Sequence, residues 1–461
     1  MSHESMINTS ITEALGRFLD VDVARYKLVS TNLANVDTPG YSRQVPILET
    51  GDPIVLDPLT FGTGVRLRTI ESIRNPILES QIQQETQTQG ELSALVSALA
   101  QTQSNFTSTA GDIGTAISKF FDSINQLSTS PSDLSLRRNV LTAAGNVATA
   151  FNLASGHLIA QRTNLGQGIE QAVGEINQLT QQIAPLNGEI AILENAGENA
   201  GTFLDQRTQL VDRLSSLIDV SVIPSDNTIT LTTASGTALV AGQQSFALST
   251  GSDVSGVQHI FAQNNDITTT IISGQLGGIL AARDQQIPGI ANQLDILAAG
   301  LANAVNQVQT SGYDLNGNPT TGMNLFNPPP ASVDGAAATL TLAISDPALI
   351  AASADGTTGS NGNAEAMYAL RKQALIAGQS AAEYYSTIVF NIGNSVANST
   401  AQQEASNLVL QQLNNQRSAV SGVSLDEEAA NLMRFQQAYA ASAKVIAAIS
   451  SLMEVVINMK S

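Results

Sequence analysis

Residues 424 to 456 read SLDEEAANLMRFQQAYAASAKVIAAISSLMEVV, and the fold turns on how the apolar positions of this stretch are spaced. Leu432, Phe435, Tyr439, Ser442, Ile446, Ile449, Met453 and Val456 step by three and four, the rhythm that keeps one seam of a helix facing a partner. Ser424 followed by Glu427 has the spacing of a capping box. Asp426 and Glu428 add negative charge in the first turn, where the helix dipole favours it. A helix is therefore expected to begin at Ser424. The other end of the chain carries a matching stripe at Ile7, Ile11, Ala14, Phe18, Val21 and Leu28, interrupted by Arg25. A helix with so narrow a stripe is marginal until that face is buried, so each end is the expected partner of the other.

The composition bounds what such a chain can do. Its 461 residues suffice for several domains, and 43% of them are hydrophobic, but aromatics are only 4% and Trp is absent. Burial must rest on Ala, Leu, Ile and Val, a mixture suited to long helices. The net charge of -19, from 20 basic and 39 acidic residues, repels phosphate backbones and anionic membrane surfaces, so no nucleic-acid partner is expected. With 0 cysteines, disulfides, thiolate nucleophiles and sulfur-ligated metals are excluded. No basic region with an apolar core and cleavage site opens the sequence, and no run approaches the roughly 18 apolar residues of a membrane helix. Neither a cleaved signal peptide nor membrane insertion is expected.

Working inward, Asn32 to Gln44 reads NLANVDTPGYSRQ, where Pro39 and Gly40 signal a turn and end the first helix near Asn35. From there to about Thr69 the chain reads as extended loop with short strands, including Val65 to Ile70. Antiparallel helices fit Pro76 to Leu217, with breaks near Gly111, Ser130-Pro131 and Gly197 to Gly201. Ile169, Val173, Ile176, Leu179, Ile183, Leu186 and Ile190 hold the helical rhythm through Pro185, which is expected to kink the helix without ending it. At Ile218 the pattern becomes β-branched and alternating. Asn227 to Thr232 and Asp266 to Ile272 are strand candidates. Helical periodicity resumes near Leu276 and runs to about Gln309. A short strand is expected at Thr339 to Ile344, then helix from about Ala364 to Met459 with one break at Ser421-Gly422. The expected fold is mainly α. Residues 1-35 with 424-461 form a coiled-coil pair, 36-217 with 277-423 a multi-helix bundle, and 218-276 a small β-rich insert to which 339-344 contributes.

Chemistry-bearing residues are sparse. His3, His157 and His259 lack companions at ligand spacing. Asp314, Asn316 and Asn318 resemble the start of a calcium loop, but Pro319 stands at the glycine position and Leu325 at that of the bidentate Glu, so a plain turn is expected. Asp426, Glu427 and Glu428 are better explained by helix capping than as an acid pair. There is no phosphate loop or nucleophile elbow; Gly277-Gly278 is too short to count. No metal, cofactor or catalytic residue is assigned, and nothing favours an enzyme.

The two ends also carry a family resemblance. NLANVDTPGYSRQ resembles the N-terminal signature of bacterial flagellar axial proteins at Asn32, Ala34, Asn35, Thr38, Gly40, Tyr41, Arg43 and Gln44, and Ser424 to Ile446 resembles their C-terminal signature. Rod, hook and junction proteins share such ends. Four internal segments narrow the class: Phe120 to Leu141, Ile176 to Ile190 (INQLTQQIAPLNGEI), Phe203 to Val220 (FLDQRTQLVDRLSSLIDV) and Leu276 to Asn318 are similar to the hook-filament junction family of hook-associated protein 1. The resemblance implies a structural protein of the extracellular flagellum, exported through the flagellar type III apparatus, with the terminal helices lining an axial channel and β-rich parts facing outward. It implies a ring of identical subunits on the hook tip, touching hook protein and a second junction protein, with an export chaperone at the C-terminal helix. The expected assembly contacts are Ile7, Ile11, Phe18, Val21, Leu28, Leu432, Phe435, Tyr439, Ile446, Ile449, Met453 and Val456. Family members often carry a further outer domain; here a single β-rich one is expected. The competing readings are another axial protein (second junction, hook or rod protein, or flagellin), a secreted adhesin and a cell-wall hydrolase.

Overall fold

The computed structural model describes residues 3-56, 59-61, 64-107 and 112-458; at 3-15, 17, 18, 54-56, 59-61, 453 and 456-458 it describes the backbone alone. Helix α1 (His3–Ala34) ends where the TPGY turn begins, with Gly40 at φ +75°. The segment after it contains more strand than its Pro and Gly content suggests. Strand β1 (Gln44–Thr50) pairs antiparallel with β4 (Val65–Ser72), with an irregularity at Ile47/Leu48, and β2 (Ile54–Leu56) pairs with β3 (Leu59–Phe61).

Four helices follow: α2 (Pro76–Thr107), α3 (Ile113–Thr129), α4 (Leu134–Asn195) and α5 (Gly201–Leu217). Asp112 and Asp133 cap α3 and α4, each accepting two backbone N–H groups of the first turn. The 62 residues of α4 run through Pro185 without ending, a span of roughly 90 Å at 1.5 Å per residue. This helix threads two cores. Its first half, with Val140, Val147, Phe151 and Leu158, packs into a core shared with α3, α7 (Ile287–Gln309), α8 (Ala336–Thr339), α9 (Gly362–Ala369) and α10 (Ala381–Ser421). Its second half, with Ile169, Val173, Ile176 and Ile183, packs against α5, α6 (Gly274–Ala281) and the β insert. A 3.6-residue stripe continued over so many turns gives one rod two partners in succession.

The insert holds two small antiparallel sheets. One is β5 (Ser221–Ser225), β6 (Thr228–Thr232), β7 (Ala238–Ala241) and β8 (Gln244–Ser245); the other is β9 (Leu248–Ser252), β10 (Gln258–Ala262) and β11 (Asn265–Asp266). Both sheets hang on asparagines of α4. The Asn177 amide donates to the Leu248 carbonyl and accepts its N–H, both at 2.8 Å. Asn187 of the LNGEI segment donates to Ile229 and Gly242 and accepts from Arg207 of the LDQR segment at 2.9 Å. The two internal segments singled out in the sequence therefore interlock. Where the insert is rooted, Gly274 (φ +71°) passes so near Ile218 that a Cβ would lie 2.5 Å from its backbone nitrogen, and a Cβ on Gly278 would lie 2.1 Å from the Glu91 carbonyl. Gly278 thus serves the crossing of α6 with α2, while a Cβ on Gly277 would lie 2.6 Å from the Ile272 backbone.

Three expectations are corrected. Asp266 to Ile272 is not a strand: Asp266 accepts from the Thr268 N–H and hydroxyl, and the chain turns into a short 3-10 helix at Thr268–Thr270. Thr339 to Ile344 adds nothing to the insert. Thr339 ends α8, Leu342 makes an isolated bridge to Phe326, and Leu340 sits in the helical core, because burial against Phe326 outweighs strand propensity there. The last helical stretch has a second break, between α9 and α10, before α11 (Leu425–Asn458). The signal was readable: Ser380 and Glu383 form a full capping box at the start of α10.

Candidate functional site: the terminal helix pair and its anchor

Helices α1 and α11 pack against each other, as the two stripes require. Val21 and Leu28 are buried. On α11, Leu432, Phe435, Ala438, Ser442, Ile446 and Ile449 are half-buried, while Tyr439 stays 43% exposed; Ala438, one position earlier, takes the inward place. Arg25, the break in the N-terminal stripe, lies over the Phe435 ring at 5.3 Å from its centroid, and the Ser442 hydroxyl donates to Asp22 at 3.1 Å. The seam is thus partly polar and open to one side. The side chains of Ile7, Ile11, Phe18, Met453 and Val456 lie outside the described residues.

Nothing among the described residues covers the outward side of α11. Met433, Val445, Leu452 and Val455 are exposed, Leu452 at 64%, among Ala429, Ala430, Ala440, Ala441, Ala447 and Ala448, all exposed as well.

The base of the pair is held by a buried polar joint, and the N-terminal signature supplies most of it. The Asn32 side chain donates to the Gln44 carbonyl and accepts from the Gln44 N–H, both at 3.0 Å, and from the Tyr41 hydroxyl at 2.8 Å. Asn32 is almost wholly buried, so it closes the TPGY turn back onto α1. Asn35 accepts from the Thr38 hydroxyl at 3.2 Å inside that turn. The Gln44 side chain accepts from Asn199 at 3.0 Å. Burial, then the Asp205 and Glu428 carboxylates, push the Tyr41 hydroxyl up to about 12, so it remains a donor.

Arg43 ties the two signatures together. Its N–H donates to the Ser421 carbonyl, its Nε to Glu428 at 2.8 Å, and its Nη1 to Glu427 at 2.9 Å. Ser424 caps α11 by accepting the Glu427 N–H at 3.4 Å, while the Glu427 carboxylate turns to Arg43. Glu428, only 1% exposed, is therefore more than a first-turn charge: it is the buried anion of the joint.

A second layer was not anticipated. Arg74 donates to Asp205 at 2.5 Å, and Asp205 also accepts from the Ser42 N–H. Arg417 of α10 pairs with Glu79 at 3.1 Å and Asp212 at 3.3 Å. Burial raises the carboxyls of Glu79, Asp205 and Asp212, the last to about 6, and the facing arginines only partly offset this. Asp205 and Asp212 lie in the segment Phe203 to Val220, but no spacing rule links them to arginines far along the chain. The joint presents no nucleophile with a base, and among the described residues no His, Cys, Asp and Glu group could hold a metal ion. What it can do is mechanical, fixing the angle at which the terminal pair leaves the body.

The chain matches known proteins over nearly its whole length. Residues 99–326 match the family described as flagellar hook-associated protein FlgK helical domain, and residues 415–459 match flagellar basal body rod FlgEFG protein C-terminal. It is 25% identical to flagellar hook-associated protein 1 of Escherichia coli (strain K12), covering 99% of this chain and 100% of that one. To the protein of the same name from Bacillus subtilis (strain 168) it is 28% identical, covering 97% of each. The solved flagellar hook junction protein FlgK from Burkholderia pseudomallei shares the fold with a TM-score of 0.65 at 18% identity, over 74% of this chain and 100% of that one.

Proposed function

We propose, because the chain belongs to the flagellar hook-associated protein 1 family, that it forms the ring between hook and filament and adapts one lattice to the other so that flagellin can add. It is a hook-filament junction protein of the bacterial flagellum, and the family assembles with itself and with hook and filament partners. The observation that carries the ring reading is the terminal pair: a seam only half-closed by α1, beside an alanine-rich face that nothing among the described residues covers. Neighbouring subunits would bury that face, the burial replacing solvent at about 25 cal/mol per Å² of apolar surface. The polar joint at Arg43 sets the tilt of the pair, and the body with its β insert stays outside.

The finer partners belong to the same reading. The second junction protein would sit on the ring, and an export chaperone would cover the α11 face before passage through the type III apparatus. Among the described residues no helix is long and apolar enough to cross a membrane. The test is electron microscopy of cells lacking this chain, with an assay of flagellin in the medium. Hooks without filaments, with flagellin shed as monomers, are expected. Normal filaments would overturn the proposal, and missing hooks would move the protein down into the hook or rod.

A further inference from the structure

The two apolar cores of the body meet at a waist where the character of burial changes. On α4 the last buried apolar side chain of one core is Leu158 and the first of the other is Ile169. Between them the buried positions are Gln161 and Gly166, and Leu165, half-buried, touches both cores. Gln161 turns its amide to α2, donating to the Ala98 carbonyl at 2.7 Å and accepting from the Thr102 hydroxyl at 3.0 Å. Beside it Arg283, 3% exposed, donates to the Gln258 carbonyl at 2.6 Å, and the Arg162 Nε is buried with no hydrogen-bond partner. A polar layer that is only partly satisfied couples two cores less tightly than continuous apolar packing does.

Two of the helices that cross the waist are weakened there. Helix α6 runs into α7 through a π-helical turn, Ala282–Gln286, an irregularity at which helices commonly bend. Helix α4 carries Gly166 and Gly168, and close packing demands neither: a Cβ would lie 3.4 Å from Gln258 and 3.6 Å from Ile279, ordinary contact distances. Two interior glycines where alanine fits loosen a helix for no gain in packing. There is also room to move. A cleft of about 340 Å³ opens at this level between Ile159, Arg162, Thr163 and Gly166 of α4 and the turn from Ser255 to Val257 that joins β9 to β10. That turn is bonded to itself, Asp253 accepting the Ser255 and Val257 N–H groups at 2.8 and 2.9 Å, so it moves as one piece with the insert.

We propose that the waist is a hinge. The lobe built on the second half of α4, α5, α6 and the β insert rocks against the lobe built on α3, α7, α9 and α10, closing and opening the cleft. Each lobe keeps its own core, and the bend falls on residues 161-168 and 282-286. Helix α2, unbroken and bonded to α4 through Gln161, is the strap that the bend leaves intact. The hinge stands on the fold alone; its use, letting one subunit fit two lattices, rests on the ring reading above.

The purified full chain tests it. Because the chain has 0 cysteines, Asn139→Cys with Val254→Cys puts one spin label on each lobe, and Asn139→Cys with Leu153→Cys puts both on one, all at exposed positions. The spread of distances between lobes should be about twice that within one lobe. Gly166→Ala combined with Gly168→Ala should bring the two spreads together and slow amide exchange across residues 161-168 by about fivefold, leaving that of α3 unchanged. Equal spreads with both glycines in place would overturn the inference, as would a wide spread between lobes that survives the double alanine change. If the purified chain shows the hinge while cells without the chain keep normal filaments, it is the ring reading that fails.

Discussion

The first half of α4 and the whole of α11 are built on the same device, an apolar stripe at helical spacing, but they end in opposite states. On α4 the stripe is closed by its own chain: Val140, Val147 and Phe151 are each 0% exposed. On α11 the inward residues are only half-buried, and apolar side chains remain on the outer face. Periodicity is alike in the two helices, so the difference lies in supply. Helices α3, α7 and α8 pack against the first half of α4, whereas among the described residues the helix packed closely on α11 is α1. A helix that its own chain cannot finish covering is left for another chain to cover.

Four measurements break or sharpen this contrast. Phe151→Ala opens a void in a core with no slack and should cost about 3 to 5 kcal/mol, read as a large fall in the melting temperature of the body. Glu428→Ala leaves Arg43 facing half its partners; since Arg43 keeps Glu427 and some water, a loss of roughly 2 to 3 kcal/mol in docking of the terminal pair is expected. Amide exchange along α11 should quicken while the body melts as before. A single merged change in both regions would mean that the joint does not isolate them.

Asp219 is the exception within the body. It is 1% exposed at the root of the insert, and burial, only partly offset by backbone N–H groups such as those of Ala234 and Ile272, pushes its carboxyl up to about 6. A carboxyl that holds its proton more tightly when folded makes the fold most stable below its unfolded value. Stability then falls as pH rises from about 4 to about 6 and is flat above. Asp219→Asn should remove this share of the slope, leaving that of Asp212, and stabilise the body at neutral pH by on the order of 2 kcal/mol. Denaturant unfolding at pH 5 and 7 checks it; an unchanged slope would assign the pH dependence to other groups. Leu452→Ala should move the melting of the isolated chain least, by under about 0.5 kcal/mol, as for other exposed sites. Its effect should appear in incorporation at the junction, and a loss confined to melting would count against the α11 face as an assembly surface.

Much of this was legible in the residues. The end of α1 near Asn35, the start of α11 at Ser424, the passage of α4 through Pro185 and the change to strands at Ile218 all follow from local rules: caps, turn residues and period. The Asp266 to Ile272 and Thr339 to Ile344 stretches misled because their β-branched residues favour strand locally, whereas the bonds that Asp266 accepts from Thr268 and burial against Phe326 override that preference. In the joint, the signature residues Asn32, Tyr41, Arg43 and Gln44 were legible, but only as a resemblance, without their partners.

The sequence by itself determined the periods, the caps and the two terminal stripes, because each is a property of neighbours a few residues apart. Only the tertiary structure decided that Arg43 meets Glu428, that Arg74 meets Asp205, that Asn187 hangs the insert on α4, and that one face of α11 is left open. Those contacts join residues 20 to 385 positions apart. They depend on where long helices cross, and that is fixed by how the whole set of side chains packs rather than by any local pattern.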